Sequence, residues 1–271
     1  MNENAALAHP VRGLIVGYLL AFALPWLVWS TLIAEQRGLL GWHVPQSLAF
    51  WIGLPVAWLV AAATSGGRAA VLDLFSRLLR WRVGWRPYAM ALALAVLLPV
   101  AVWVVVLAAG GPMPSAGAAA SGVPIALLVE IALFWLTEEA MWRGFVLPRV
   151  ELTLRPGQAS LVVGVLWAVW HLPLFAIAGS FQSGLPFLGF ALLTVATSVV
   201  LGWLSHRASG SVLVCALYHG VVDVVFATTG VLGASPAAFW AVVVVHVVVA
   251  AALGLREGWW RSGVRAAVSQ G

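Results

Sequence analysis

The stretch YAMALALAVLLPVAVWVVVLAA, residues 88–109, is apolar on all sides over its whole length. A helix crosses the hydrocarbon core of a bilayer with roughly 20 such residues, and backbone polar groups in lipid have to be satisfied within the segment. Eight stretches meet that description: 14–33, 47–64, 88–109, 124–142, 159–178, 187–204, 211–228 and 236–255. A transmembrane barrel would instead show segments of about 10 residues with alternating polarity. With 63% hydrophobic and 8% charged residues and a mean hydropathy of +1.02, the chain lies far from the soluble range. The expected fold is all-α, a polytopic transmembrane helix bundle of about eight spanning helices. The first span is too long for the apolar core of a cleaved signal peptide and no small-x-small site follows it, so it reads as a retained helix. Cys215 is the single cysteine, which excludes an intrachain disulfide.

All 14 basic residues are arginines. Counted through alternating loops, Arg12, Arg68, Arg77, Arg80, Arg82, Arg86, Arg143, Arg149, Arg155, Arg207, Arg256, Arg261 and Arg265 fall on one side, and Arg37 alone on the other. The positive-inside rule then makes this a multi-pass cell-membrane protein with both termini cytoplasmic. Attraction to anionic lipid accounts for the net charge of +5, so nucleic-acid binding is not needed to explain it. Within 68–86, Val71, Leu72, Phe75, Leu78 and Leu79 can form one apolar face beside the arginines, the pattern of an interfacial amphipathic helix. The Gly- and Pro-containing linker 110–124 divides the chain. The expected organisation is an N-terminal three-helix membrane region (1–123), a central helix bundle with the polar chemistry (124–228), and a last span with a cytoplasmic tail (229–271).

No acidic, basic or histidine residue lies inside the first three spans, whereas the later ones hold Glu130, Glu138, Glu139, Arg143, His171, His219, Asp223 and His246. A charge at mid-membrane costs roughly 2.5–3.5 kcal/mol on insertion scales, so these groups must pair, protonate or face water. Neighbouring helical residues point about 100° apart, while positions four apart nearly coincide. Glu139 can therefore pair with Arg143, and Glu138 is turned to a different neighbour without an obvious local partner. Trp167 and His171 share a face of the next span, and Cys215, His219 and Asp223 form one stripe of a later one. At about 1.5 Å of rise per residue, Glu138, His171, His219 and Asp223 all fall in the inner half of the bilayer.

Hydrolysis needs such a set: a carboxylate as general base, an imidazole to share the proton, and donors for the oxyanion. Glu138, His171 and His219 could equally bind Zn²⁺ with one open position, and spacing does not decide between the two. There is no His-Glu-x-x-His and no Gly-x-Ser-Gly. Proton transport is a competing class, because Glu, His and Asp chains also carry protons, but no internal repeat of the kind transporters use is present. Cys215 reads as a small core residue and not as a thiol nucleophile. His246 in VVVVHVVVA reads as a packing residue, and Glu130 as structural.

The polar residues resemble the CPBP family of intramembrane proteases, which includes the CAAX prenyl proteases. The family pattern Glu-Glu-x-x-x-Arg, Phe-x-x-x-His and His-x-x-x-Asn or Asp stands as Glu138-Glu139-x-x-x-Arg143, Trp167-x-x-x-His171 and His219-x-x-x-Asp223. The flanking RGFVLPRVE and GSVLVCALYH are similar to the family's surroundings, and the match covers roughly 124–228. Trp167 replaces the usual Phe, and Asp223 stands where the prenyl proteases carry Asn. The resemblance implies an intramembrane endopeptidase, metallo- or glutamate-type. Glu138 would be the base, His171 would bind the attacking water with it, His219 and Asp223 would complete the site, and Glu139 and Arg143 would support it. It implies membrane-anchored, amphiphilic or lipidated peptides as substrates. A non-catalytic scaffold or bacteriocin-immunity protein is the alternative within the family.

Overall fold

The computed structural model describes residues 9–111 and 122–259; much of the linker and the arginines at 261 and 265 lie outside them. Among these described residues ten α-helices follow in order: α1 (Pro10–Gln36), α2 (Leu54–Leu78), α3 (Trp85–Ala108), α4 (Val123–Leu136), α5 (Leu147–Val150), α6 (Pro156–Trp170), α7 (Phe187–Arg207), α8 (Val212–Thr229), α9 (Val231–Ala234) and α10 (Pro236–Arg256). A π-helical turn, Ala49–Gly53, leads into α2, and 3-10 turns follow α6. Seven segments among the described residues are long and apolar enough to cross a membrane: Pro10–Gln36, Ala49–Leu78, Trp85–Ala108, Pro156–Ala176, Phe187–Arg207, Val212–Ala234 and Pro236–Arg256.

The remaining expected span, 124–142, is interrupted. α4 stops at Thr137, whose backbone is non-helical (φ −118°, ψ −89°), and the chain resumes as a wide π-helical turn, Ala140–Val146, before α5. Thr137 Oγ1 donates back to the Leu133 carbonyl at 2.5 Å, the kind of back-bonding that bends helices. Hydropathy is blind to that bond, so the sequence suggests one smooth helix where there are two halves.

The amphipathic segment also departs from expectation. α2 runs on past its membrane portion through Gly66 and Gly67, where the backbone is non-helical; Gly67, at φ +56°, adopts a conformation that a side chain would strain. The helix ends at Leu78, well short of 86. Its buried row is Ala70, Leu74 and Leu78, while Leu72, Phe75 and Leu79 remain exposed. The apolar residues are thus divided between the bundle and its surroundings, because the i, i+4 row facing the protein is only one of two apolar rows. Trp135 Nε1–H donates to the Leu78 carbonyl at 2.9 Å and pins this end.

Helix packing relies on small residues, which let backbones approach where lipid supplies no hydrophobic drive between helices. Gly13, Gly17 and Ala21 of α1 are buried at four-residue spacing and meet Ala57, Ala61 and Ser65 of α2, which repeat the same spacing. A Cβ at Gly13 would lie 2.5 Å from Ser65 Cβ, and one at Gly17 3.0 Å from Ala61 Cβ. α6 and α7 interlock reciprocally, Gly164 against Ser198 and Gly202 against Ser160.

Hydrogen bonds tie the arginine-bearing loops together at one end of the bundle. His9 N–H donates to the Ser65 carbonyl (2.7 Å), Arg149 Nε to Ser65 Oγ (3.1 Å), Ser211 Oγ to the Arg80 carbonyl (2.5 Å) and His206 Nε2 to Glu151 (2.7 Å). Arg207 pairs with Glu257, whose carboxyl is held below its usual range by the Trp203 indole N–H and by Arg207. At the other end, Gln36 and the Ala178 backbone exchange two hydrogen bonds of 2.8 and 3.1 Å.

Gly13→Ala should lower the melting temperature in detergent, reflecting a loss of about 1–3 kcal/mol from overpacking. Gly233→Ala, whose Cβ would meet nothing within 4 Å, should leave it unchanged. Equal melting of the two variants would refute the α1–α2 seam.

Candidate active site

The break at Thr137 turns the two glutamates into different surroundings. Glu139 and Arg143 are 0% and 1% exposed and pair at 3.0 Å across one turn. The same Glu139 oxygen, Oε1, accepts from His219 Nδ1 at 2.8 Å. Glu139 therefore holds a cation on its own segment and an imidazole from α8. Glu138, 2% exposed, accepts from the Trp167 indole N–H at 2.5 Å through Oε2. Its partner is thus on α6, out of reach of local spacing rules. The Arg143 guanidinium lies over the face of that same indole, 4.6 Å from its centre, a cation–π contact that joins the two glutamate environments.

α6 delivers Trp167 and His171 on successive turns. His171 caps the helix, with Pro173 inside the following 3-10 turn. Its Nδ1–H donates to the Trp167 carbonyl at 2.8 Å, which directs Nε2 away from the helix. This helix end is locked to α1 by two indoles: Trp170 Nε1–H donates to the Ala21 carbonyl (2.8 Å) and Trp26 Nε1–H to the Trp170 carbonyl (2.9 Å). Trp29 and Phe50 meet the Trp170 ring edge-on. α1 and the π-helical turn before α2 thus buttress the site.

α8 supplies His219 and Asp223. The His219 ring stacks on Phe134 of α4 (3.6 Å between centres, 6° between planes) and meets the edge of Trp167 (5.2 Å). Such close stacking depends on Gly220, where a Cβ would come 2.8 Å from the Ile131 backbone nitrogen. Asp223 is further off, with Oδ2 4.0 Å from His219 Nε2. Cys215, on the same stripe, is fully buried with Sγ 3.6 Å from the Leu201 carbonyl. His246 is buried, its Nδ1–H bonded to the Val242 carbonyl, and sits against Phe226.

A cavity of about 710 Å³ is lined by Glu138, Trp167, His171, His219 and Asp223, with Phe134, Phe190 and Thr194 among its walls. Glu139, Arg143 and Cys215 are not among its lining residues. Glu130, which the sequence suggested was structural, lines it too; spacing from Glu138 alone gave no sign of this, since the kink at Thr137 changes the register between them. The three lining carboxylates face no arginine among the lining residues. The cavity runs from Glu138 and His219 to Gly122, Gln182 and Leu232, at the end of the bundle opposite the arginines.

Residues 119–225, which carry these groups, match the family described as type II CAAX prenyl endopeptidase, Rce1-like. This stretch of the chain is similar to the CPBP/CAAX proteases. A CAAX prenyl protease 2 from Methanococcus maripaludis is 23% identical over 107 residues, 37% of this chain and 39% of that relative. This chain thus aligns with about two fifths of the relative's length. The matched region runs from the linker into α8, leaving α1 to α3, α9 and α10 outside it. Metal ligation was the open question from spacing. Among the described residues no group of three or more His, Cys, Asp or Glu side chains is gathered closely enough to hold a metal ion, while the bonds to Trp167 and Glu139 leave His171 Nε2, His219 Nε2 and one Glu138 oxygen open.

Glu139→Gln should destabilise the protein by about 3–5 kcal/mol, because a buried guanidinium loses its counter-charge. Glu139→Gln with Arg143→Gln should recover part of that loss in a detergent melt. A double variant no more stable than the single one would show that the pair is not the stabilising contact.

Proposed function

We propose that this protein is an intramembrane endopeptidase that hydrolyses a peptide bond through a water activated by Glu138. One observation carries the reading: Glu138, His171 and His219 line one cavity, while Glu139 and Arg143 stand behind it and orient His219. With Oε2 held by the Trp167 indole, Glu138 offers Oε1 to a water. His171, whose Nδ1 is engaged, accepts the water's second hydrogen at Nε2 and orients a lone pair toward the substrate carbonyl.

Glu138 takes one proton from the water, and the hydroxide adds to the carbonyl carbon. The carbonyl π electrons move to oxygen, and His219, protonated with Nδ1–H on Glu139, supplies Nε2–H to that oxyanion. Collapse re-forms the carbonyl and breaks the C–N bond, and the leaving amine takes the proton back from Glu138. Every proton is returned, and no metal is required. Asp223, with Oδ2 4.0 Å from His219 Nε2, lies beside the same nitrogen. Glu139 and Arg143 are positioning residues.

The substrates we propose are membrane-anchored or amphiphilic peptides, including lipidated ones. The cavity's aromatic and aliphatic walls suit an apolar segment, whereas a carboxylate end would meet three acidic side chains and no arginine among the lining residues. A proton-relay transporter is less well supported, because the acidic groups end at a sealed floor of buried Met141, Trp142, Arg143, Cys215 and Tyr218. We also assign the arginine-bearing end to the cytoplasm.

Glu138→Gln should retain the melting temperature and lose at least ~10²-fold in cleavage of a membrane-peptide panel, the scale of a positioned general base. Wild-type protein stripped of metal with a strong chelator should cleave the same panel at an undiminished rate, with metal content by mass spectrometry well below one per chain. Activity that vanishes with the metal and returns with Zn²⁺ would replace this mechanism, and an active Glu138→Gln variant would remove Glu138 from it.

A further inference from the structure

The cavity has a direction that the family match does not supply. Its floor, Glu138 and His219, is separated from the arginine end by Met141, Trp142, Arg143, Cys215 and Tyr218, each 1% exposed or less. These residues fill one level of the bundle, since α8 rises from the arginine end through Cys215 and Tyr218 before reaching His219. In the other direction the lining continues up α4 through Glu130 and Ala126 to Gly122, and up α8 through Ala227. At that rim Phe181 is 55% exposed, and Gly122 and Ala227 are exposed as well. The rim belongs to the end where Gln36 meets Ala178, the end whose loops carry Arg37 alone among the arginines.

We propose that the cavity admits its substrate from the extracytoplasmic side of the membrane, so that the peptide cleaved is an exported or outward-facing segment of an anchored protein and not a cytoplasmic chain terminus. The proposal rests on the endopeptidase reading for the word substrate and on the arginine distribution for orientation. Its core is geometric: the cavity that Glu138 lines points away from the cytoplasmic arginines. An outward mouth also agrees with its chemistry. Its apolar wall can take the membrane-proximal residues of an anchored peptide, while Glu130 and Asp223 near the rim favour neutral or basic flanking residues over acidic ones.

Cysteine accessibility tests this without a known substrate. Cys215 is fully buried and off the cavity, so the natural chain is a silent background. Thr194→Cys and Thr228→Cys place thiols on the cavity wall, Ser183→Cys marks the rim-side loop, and Thr153→Cys marks the arginine-side loop. In intact cells a sulfonated, membrane-impermeant maleimide should label Ser183→Cys, Thr228→Cys and Thr194→Cys but not Thr153→Cys, which should label only after permeabilisation. The adduct at Thr194→Cys should abolish cleavage of the peptide panel. Labelling of the cavity positions only after permeabilisation, or of Thr153→Cys in intact cells, would overturn the proposal, as would cavity thiols that label from neither side in a folded variant with normal melting. Should the outward labelling pattern appear with no peptide cleaved by the wild-type protein, the access route stands and the endopeptidase reading falls.

Discussion

A single carboxylate oxygen, Glu139 Oε1, fixes the relation between the two halves of the site. It meets Arg143 on its own segment and His219 on α8, so the bend after α4 and the placement of α8 are settled together. A fully buried carboxylate without a cation would be costly, and a buried guanidinium equally so. Each is tolerable because of the other. The Arg143 face-on contact with Trp167 then brings α6 into the same arrangement, and from there the indole N–H reaches Glu138. Three helices and the π-helical turn are thereby referred to one ion pair.

Around that pair the molecule uses two kinds of contact. Small residues bring backbones close, as Gly13 and Gly17 do for α1 on α2 and Gly220 for α8 on α4. Indoles then fasten helix ends to carbonyls, as Trp26 and Trp170 do between α1 and α6. Close approach restricts sliding, and the indole bonds restrict rotation. Both are suited to a bundle in lipid, where packing and hydrogen bonding replace the hydrophobic drive that assembles soluble cores. As a result Glu138, His171 and His219 face the cavity with orientations each defined by a second contact.

The spans were legible because apolar length is a property of consecutive residues, and the same holds for the i, i+4 relation of Glu139 to Arg143. What crosses between helices was not legible. The bond from Glu139 to His219 joins residues 80 apart in sequence, and nothing in either stretch announces the other. The role of Glu130 in the cavity wall escaped for a related reason: periodicity says which residues share a face, and the kink at Thr137 resets that face midway. The segment after Gly67 shows a further limit, since two apolar rows compete there and the buried one is chosen by neighbours distant in sequence, Gly144 against Leu74 and Trp135 against the Leu78 carbonyl. The Trp167 indole lies between these cases. Its aromatic character is visible in the motif, but its bond to Glu138 needs the third dimension.

The local character of the Glu139–Arg143 pair bears on how such a chain enters the bilayer during synthesis. Trp167, His219 and Asp223 all lie downstream, so α4 and its π-helical turn must be committed to lipid before those partners exist. A lone carboxylate and a lone guanidinium would each resist that step by a few kcal/mol. Positioned one turn apart, they neutralise one another within a single nascent segment, and only Glu130 and Glu138 are left, each needing just one proton to cross uncharged. The ion pair that organises the finished site also serves as a provisional counter-ion arrangement during biogenesis, and the spacing of four residues is what makes it available in time.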